Sequence, residues 1–145
     1  MNNFLNFDIK DKIIIRSPQK RVLPLVVSSP HSGRNYPPDF VAASALTPLR
    51  LRSSEDSFVE DIFGYAPDLG ATLIEALFPR VFVDVNRQPY ELDPTMFSDP
   101  LPDYVTTQNN RISAGLGTIA RVVSNGERVY RNKLTFREAE ERINN

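Results

Sequence analysis

The stretch "SSPHSGRNYP" holds the chain's single histidine, His31, directly after an apolar run and at the mouth of a Pro/Gly turn. Imidazole titrates near neutral pH, so a side chain so placed can bind a metal or shuttle a proton. Gly33, two residues on, lets the backbone approach a ligand closely. The plainer reading of the same residue is a turn histidine bonded to a backbone carbonyl. A Ser–His nucleophile drawn from Ser28, Ser29 or Ser32 is disfavoured. Neighbours in sequence are seldom placed for that geometry, and the chain has no G-x-S-x-G elbow.

Two further groups could work with His31. Glu55 and Asp56 sit where a helix should begin, and acids there suit the helix dipole without any further role. The chemical alternative is that one of them turns toward His31 and forms part of a His/carboxylate zinc site. Such a site needs a third protein ligand and a water. With no second histidine and no cysteine, that ligand would be another acid or would be missing. In "VDVNRQP", Asp84 alternates with valines, a costly arrangement on a buried strand unless the acid is paired. Arg87 is one such partner. Alternatively Arg87 presents its planar fork to a substrate carboxylate, helped by the Asn86 amide. Arg121 is a weaker candidate of the same type.

The elements that must hold these groups follow from periodicity. "RVLPLVVSS" is a short apolar run bounded by turn residues and reads as a buried strand. A weakly helical "PDFVAASA" follows. Over 53–70, Phe58, Ile62, Phe63 and Ala66 recur at helical spacing, with Ser53 or Ser54 as N-cap and Pro67 and Gly70 as stops, which predicts a helix. "ATLIEAL" and "RVFVDV" read as two more strands. "TIARVVSNGERVY" reads as a hairpin turning at Asn125–Gly126. "LTFREAEERINN" carries Thr135 and Glu138 at capping-box spacing and predicts a final helix, whose Leu134, Phe136, Ala139 and Ile143 need cover. The order is that of an α/β fold with a mixed sheet and flanking helices. His31 and "DVNR" both fall after strands, where open α/β sheets bind ligands.

At 145 residues the chain suits a single domain, and 41% apolar with 24% charged residues is an ordinary soluble composition. A net charge of −1 without a basic stripe argues against nucleic acid or a membrane surface as partner. No apolar run reaches the roughly 20 residues of a membrane span. The acids in "MNNFLNFDIKDK" are unlike a signal peptide, so a cytoplasmic location is the expectation. Oligomeric state is not legible.

Four segments in this order, "PHSGRNYP", "SSEDSFVEDIF", "VFVDVNRQP" and "GTIARVVSNGERVYRNKL", resemble the N-formylglutamate amidohydrolase family. That family is similar in turn to zinc carboxypeptidases and aspartoacylases. The resemblance implies a zinc-exopeptidase-like mixed sheet and one Zn2+. It implies hydrolysis of a small N-acyl amino acid, N-formyl-L-glutamate, to formate and L-glutamate. By motif, His31 would be a zinc ligand, with Asp56 preferred to Glu55 as the second. Arg87 and Asn86 would clamp the substrate carboxylate, with Asp84 orienting them. Family members are longer and carry a further histidine and an acid for proton transfer in their second half. Neither segment is found here, so residues 1–145 are expected to form the N-terminal part of a longer amidohydrolase domain. The catalytic base is then absent from this stretch, and a non-catalytic remnant or a carboxylate-binding module is the alternative.

Overall fold

The computed structural model describes residues 12–20 and 22–145. Arg21 and residues 1–11, which include the segment judged unlike a signal peptide, lie outside them. Strand β1, Ile13–Arg16, and strand β2, Val26–Ser29, flank strand β3, Thr72–Ala76, in the order β1-β3-β2. β1 runs antiparallel to β3, with Ile13 opposite Ala76, and β2 runs parallel to it, with Val26 opposite Thr72. This is the mixed sheet expected. β2 is an edge strand rather than the buried one expected, with Leu25 and Val26 exposed, and Pro24 precedes it, where its missing N–H leaves no gap in the ladder. β3 is the central strand, with Leu73 fully buried. Its Glu75 is buried as well and is compensated by Arg16, whose Nε lies 2.8 Å from Oε1.

The α-helices among the described residues are short: α1, Pro38–Ala43; α2, Pro48–Leu51; α3, Val59–Ile62; α4, Asn110–Ser113; and α5, Phe136–Asn144. Most of the apolar core lies outside the sheet. Leu51, Phe82, Leu92, Ile119 and Val129 pack together under α5, and each fully buried side chain of this kind is worth about 1.5–3 kcal/mol. Arg142 of α5 closes this core, its guanidinium 4.6 Å from the Phe82 ring centroid and its Nη1 donating to the Tyr130 hydroxyl at 2.7 Å.

α5 carries the expected capping box. The Thr135 hydroxyl accepts from the Glu138 N–H, and the Glu138 carboxylate accepts from the Thr135 N–H at 2.6 Å. Its apolar face is covered: Leu134 and Ala139 are buried, and Phe136 and Ile143 pack against the core. The concern that this face would lack cover is therefore removed. Thr135→Ala should cost about 1 kcal/mol, read as a lower urea midpoint with an unchanged slope.

Two expected elements take another form. Residues 53–70 do not make one helix. Only a 3-10 turn at Arg52–Ser54 and the single turn of α3 are helical. Phe58, at φ 67, enters α3 in the left-handed region, a conformation that costs on the order of 1–3 kcal/mol for a non-glycine residue. The serines expected to cap the helix are used elsewhere: Ser54 Oγ accepts from the Ser124 N–H and the Ser53 carbonyl accepts from Ser124 Oγ. Of the predicted apolar face only Ala66 is buried, and Phe58, Ile62 and Phe63 are exposed. Residues 80–85 do not form a strand either. The Phe82 N–H bonds the Pro79 carbonyl at 3.0 Å, so the chain coils, and Val81, Phe82 and Val83 enter the core from a turn.

The 118–130 arm is a hairpin with one bridge, Val122 to Arg128. At its tip Gly126, at φ 82, takes the left-handed conformation, while Asn125 does not. The Val123 N–H bonds the Glu127 carbonyl across a three-residue loop rather than the two-residue turn expected.

Candidate functional site

β2 delivers the chain into the 30–37 loop, and that loop is pressed against the segment following β3. A Cβ on Gly33 would lie 2.2 Å from the Phe78 carbonyl oxygen. Only glycine permits this approach, and the Asn35 N–H fastens it through the Leu77 carbonyl at 2.8 Å. His31 is thereby buried at the C-terminal end of β2. Its carbonyl accepts from the Asp56 N–H at 3.1 Å, which brings Asp56 to the histidine without a helix between them.

Both ring nitrogens of His31 face carboxylates. Nε2 lies 2.8 Å from Asp84 Oδ1, and Nδ1 lies 3.4 Å from Asp56 Oδ2. Asp84 also accepts from the Asn86 N–H at 2.9 Å and from Arg80 Nη2 at 3.0 Å, with Arg87 Nη2 at 3.7 Å. Burial pushes its pKa up, but the His31 hydrogen bond, the Asn86 N–H and the His31 and Arg80 charges outweigh that and hold it at about 2. An ionised carboxylate only accepts, so Nε2 carries the proton donated to Asp84. In the neutral ring the lone pair is then on Nδ1, facing Asp56.

The donor set suits zinc. Metal–ligand bonds of about 2.0–2.2 Å in a tetrahedron place two ligand atoms roughly 3.3–3.6 Å apart, and the Nδ1–Oδ2 separation of 3.4 Å falls in that range. A carboxylate behind the other ring nitrogen is the usual support of a zinc-binding histidine. Among the described residues no group of three His, Cys, Asp or Glu side chains converges to hold a metal. His31 and Asp56 therefore present two facing donor atoms, without a third among the described residues.

Glu55 is directed elsewhere. Its carboxylate is 2% exposed and accepts from the Tyr36 hydroxyl at 2.7 Å and from Arg52 Nε at 3.1 Å. Burial, then the bond to Glu55, raises the Tyr36 pKa. Arg87 spends its fork on backbone: Nε donates to the Leu116 carbonyl and Nη1 to the Asn86 carbonyl. The Asn86 side chain is exposed. Arg121 bonds Asp93 on the opposite face of the arm and is not part of the His31 cleft.

That cleft, about 360 Å³, is lined by the two carboxylate partners of His31, Asp56 and Asp84, by Arg80 and by Leu116, Ala120 and Val122, while His31 itself does not line it. Arg80 is the residue that sequence reasoning missed. It lies 3.9 Å from Asp56 and 3.0 Å from Asp84, with its side chain 24% exposed. The signal was available: Arg80, Phe82 and Asp84 alternate, so even the strand reading put Arg80 on the face of Asp84.

Among the described residues no helix is long and apolar enough to cross a membrane. The family model for N-formylglutamate amidohydrolase matches residues 23–145. The chain is similar to a crystal structure of N-formylglutamate amidohydrolase from Ralstonia eutropha JMP134, at 36% identity and a TM-score of 0.83, covering 92% of this chain and 47% of that one. It is also 32% identical over 65 residues to the N-formylglutamate deformylase of Pseudomonas putida, covering 45% of this chain and 24% of that protein. The chain therefore spans about half the length of the solved relative and is a member of the N-formylglutamate amidohydrolase family.

Proposed function

We propose that this chain forms part of a zinc-dependent amidohydrolase site that cleaves N-formyl-L-glutamate to formate and L-glutamate. The observation that carries the reading is His31, buried between two carboxylates, with Nδ1 turned to Asp56 at the mouth of the cleft. His31 and Asp56 would hold the metal. When bound, zinc supplies Lewis-acid polarisation of the formyl carbonyl and makes water a stronger acid.

Asp84 fixes the His31 ring by taking its Nε2 proton, which keeps Nδ1 available as a ligand atom. Arg80 is the cation turned to the cleft, and its guanidinium suits either the carbonyl oxygen as negative charge builds on it or a substrate carboxylate. Arg87 with Asn86 remains the motif-based clamp. To act, Arg87 would exchange its two backbone bonds for the ligand. A third metal ligand and the group that carries the proton to the leaving amine would come from outside the described residues. The sheet and its parallel β2–β3 pair support a zinc-exopeptidase-like architecture for the whole enzyme, of which this chain would be one part.

The test is formate release from N-formyl-L-glutamate, with added zinc, by this chain joined to the remaining half of a family enzyme, beside the same protein carrying Arg80→Ala. We expect release above a zinc-only control, reduced by about 100-fold or more in the variant, the loss that follows removal of one oxyanion donor. Release at the zinc-only level from the joined protein would refute the proposed activity. Equal rates in the two proteins would remove Arg80 from the site.

A further inference from the structure

Alternation of Ala120, Arg121 and Val122 along the 118–130 arm turns neighbouring side chains to two different pockets. Ala120 and Val122 line the His31 cleft, whereas Arg121 borders a separate pocket of about 130 Å³ with Arg128, Tyr130, Arg131 and Lys133. Arg121 is fixed there: its Nε lies 2.6 Å from Asp93 Oδ2, and its Nη2 donates to the Ser113 carbonyl at 3.3 Å. Gly115, at φ 80, leaves room for this guanidinium, since a Cβ would lie 3.3 Å from Nη2. Asp93 accepts in turn from Thr95. Burial pushes its pKa up, but the Thr95 bonds and Arg121 outweigh that and lower it, so it stays ionised.

Asp93 thus balances Arg121, and the other three cations are left over. Arg128, Arg131 and Lys133 are exposed, and among the described residues none of them forms an ion pair. Glu127, the acid on the same arm, is taken by Arg50. The backbone that carries the three is anchored on both sides. Val129 is fully buried and its N–H bonds the Arg121 carbonyl at 2.9 Å, while the buried Leu134 bonds the Met96 carbonyl at 2.9 Å. Like charges held within about a Debye length (about 8 Å at physiological salt) repel one another, and a bound anion relieves them.

We propose that this pocket is a binding site for a small multivalent oxyanion of the phosphate or polycarboxylate kind, distinct from the His31 cleft. Two guanidinium forks and an ammonium around a concavity of this size suit a compact, multiply charged group. The same chemistry is offered by phosphate and by citrate, and the experiment separates them.

The chain would be titrated calorimetrically in metal-free buffer with inorganic phosphate, pyrophosphate and citrate at constant ionic strength, against chloride. Arg131→Ala, Lys133→Ala, His31→Ala and the exposed Arg137→Ala, which pairs with Glu141, are run beside it. Saturable one-to-one binding of at least one anion is expected, about tenfold weaker in each pocket variant. It should be unchanged in His31→Ala and Arg137→Ala, so failure of the zinc reading leaves it untouched. Binding no stronger than chloride, or weakened equally by Arg137→Ala, would overturn the site. Tighter binding of a single-stranded oligonucleotide than of any small anion, lost in the pocket variants, would replace it with a nucleic-acid surface.

Discussion

Replacing His31 with alanine should abolish specific zinc binding by this chain. A competitive chelator titration at pH 7 is expected to show a loss larger than the roughly 10–100-fold that outer-shell partners cost. His31 is the one histidine of a sequence without cysteine, so no other imidazole or thiolate is present to take over. Three companions sharpen the result. Asp56→Asn should fall nearly as far as His31→Ala. Glu55→Gln should leave zinc affinity alone, because its carboxylate is committed to Tyr36 and Arg52. Asp84→Asn should lose about 10–100-fold, since the amide can still hold the ring but no longer favours the same proton placement. Equal zinc affinity in His31→Ala and the parent would end the metal reading, whatever the outcome of the formate assay.

Asp84→Ala is the substitution expected to cost most stability. One buried carboxylate accepts from His31, Asn86 and Arg80 and has Arg87 near it. Its removal leaves two guanidinium groups and an imidazole N–H facing a void. Breaking a buried pair from one side typically costs about 3–5 kcal/mol, so urea unfolding should show a midpoint shift of that size. The loss should be smaller for Asp84→Asn, which keeps an acceptor in place. A change below about 1 kcal/mol, the range of exposed ion pairs, would mean that water reaches these groups and that Asp84 is not the hub of the site.

Local chemistry was enough for several features. The Thr135–Glu138 capping box, the turn at Gly126, the strands at 26–29 and 72–76, and the placement of His31 just past a strand all depend on residues close in sequence. In each, backbone preference and neighbouring side chains act together. The family motifs were legible for the same reason, as short contiguous strings.

Long-range contacts decided the rest. Residues 53–70 have helical periodicity, yet the Ser124 bonds to Ser53 and Ser54, the His31 bond to Asp56 and the left-handed Phe58 hold the segment open. A helix there would have turned Asp56 with its own turn, and only the opened chain sets it beside His31. Likewise "RVFVDV" looks like a strand because its apolar residues need burial, but burial does not specify extension, and a turn at Pro79 satisfied it inside the core. Which acid meets His31, which arginine faces the cleft and which turns inward depend on where distant segments are anchored. Residue types and their spacing determined that a histidine, carboxylates and arginines would gather at one end of the sheet. Only the tertiary contacts, worth about 1 kcal/mol for a single hydrogen bond and made between residues tens of positions apart, determined which atom points at which.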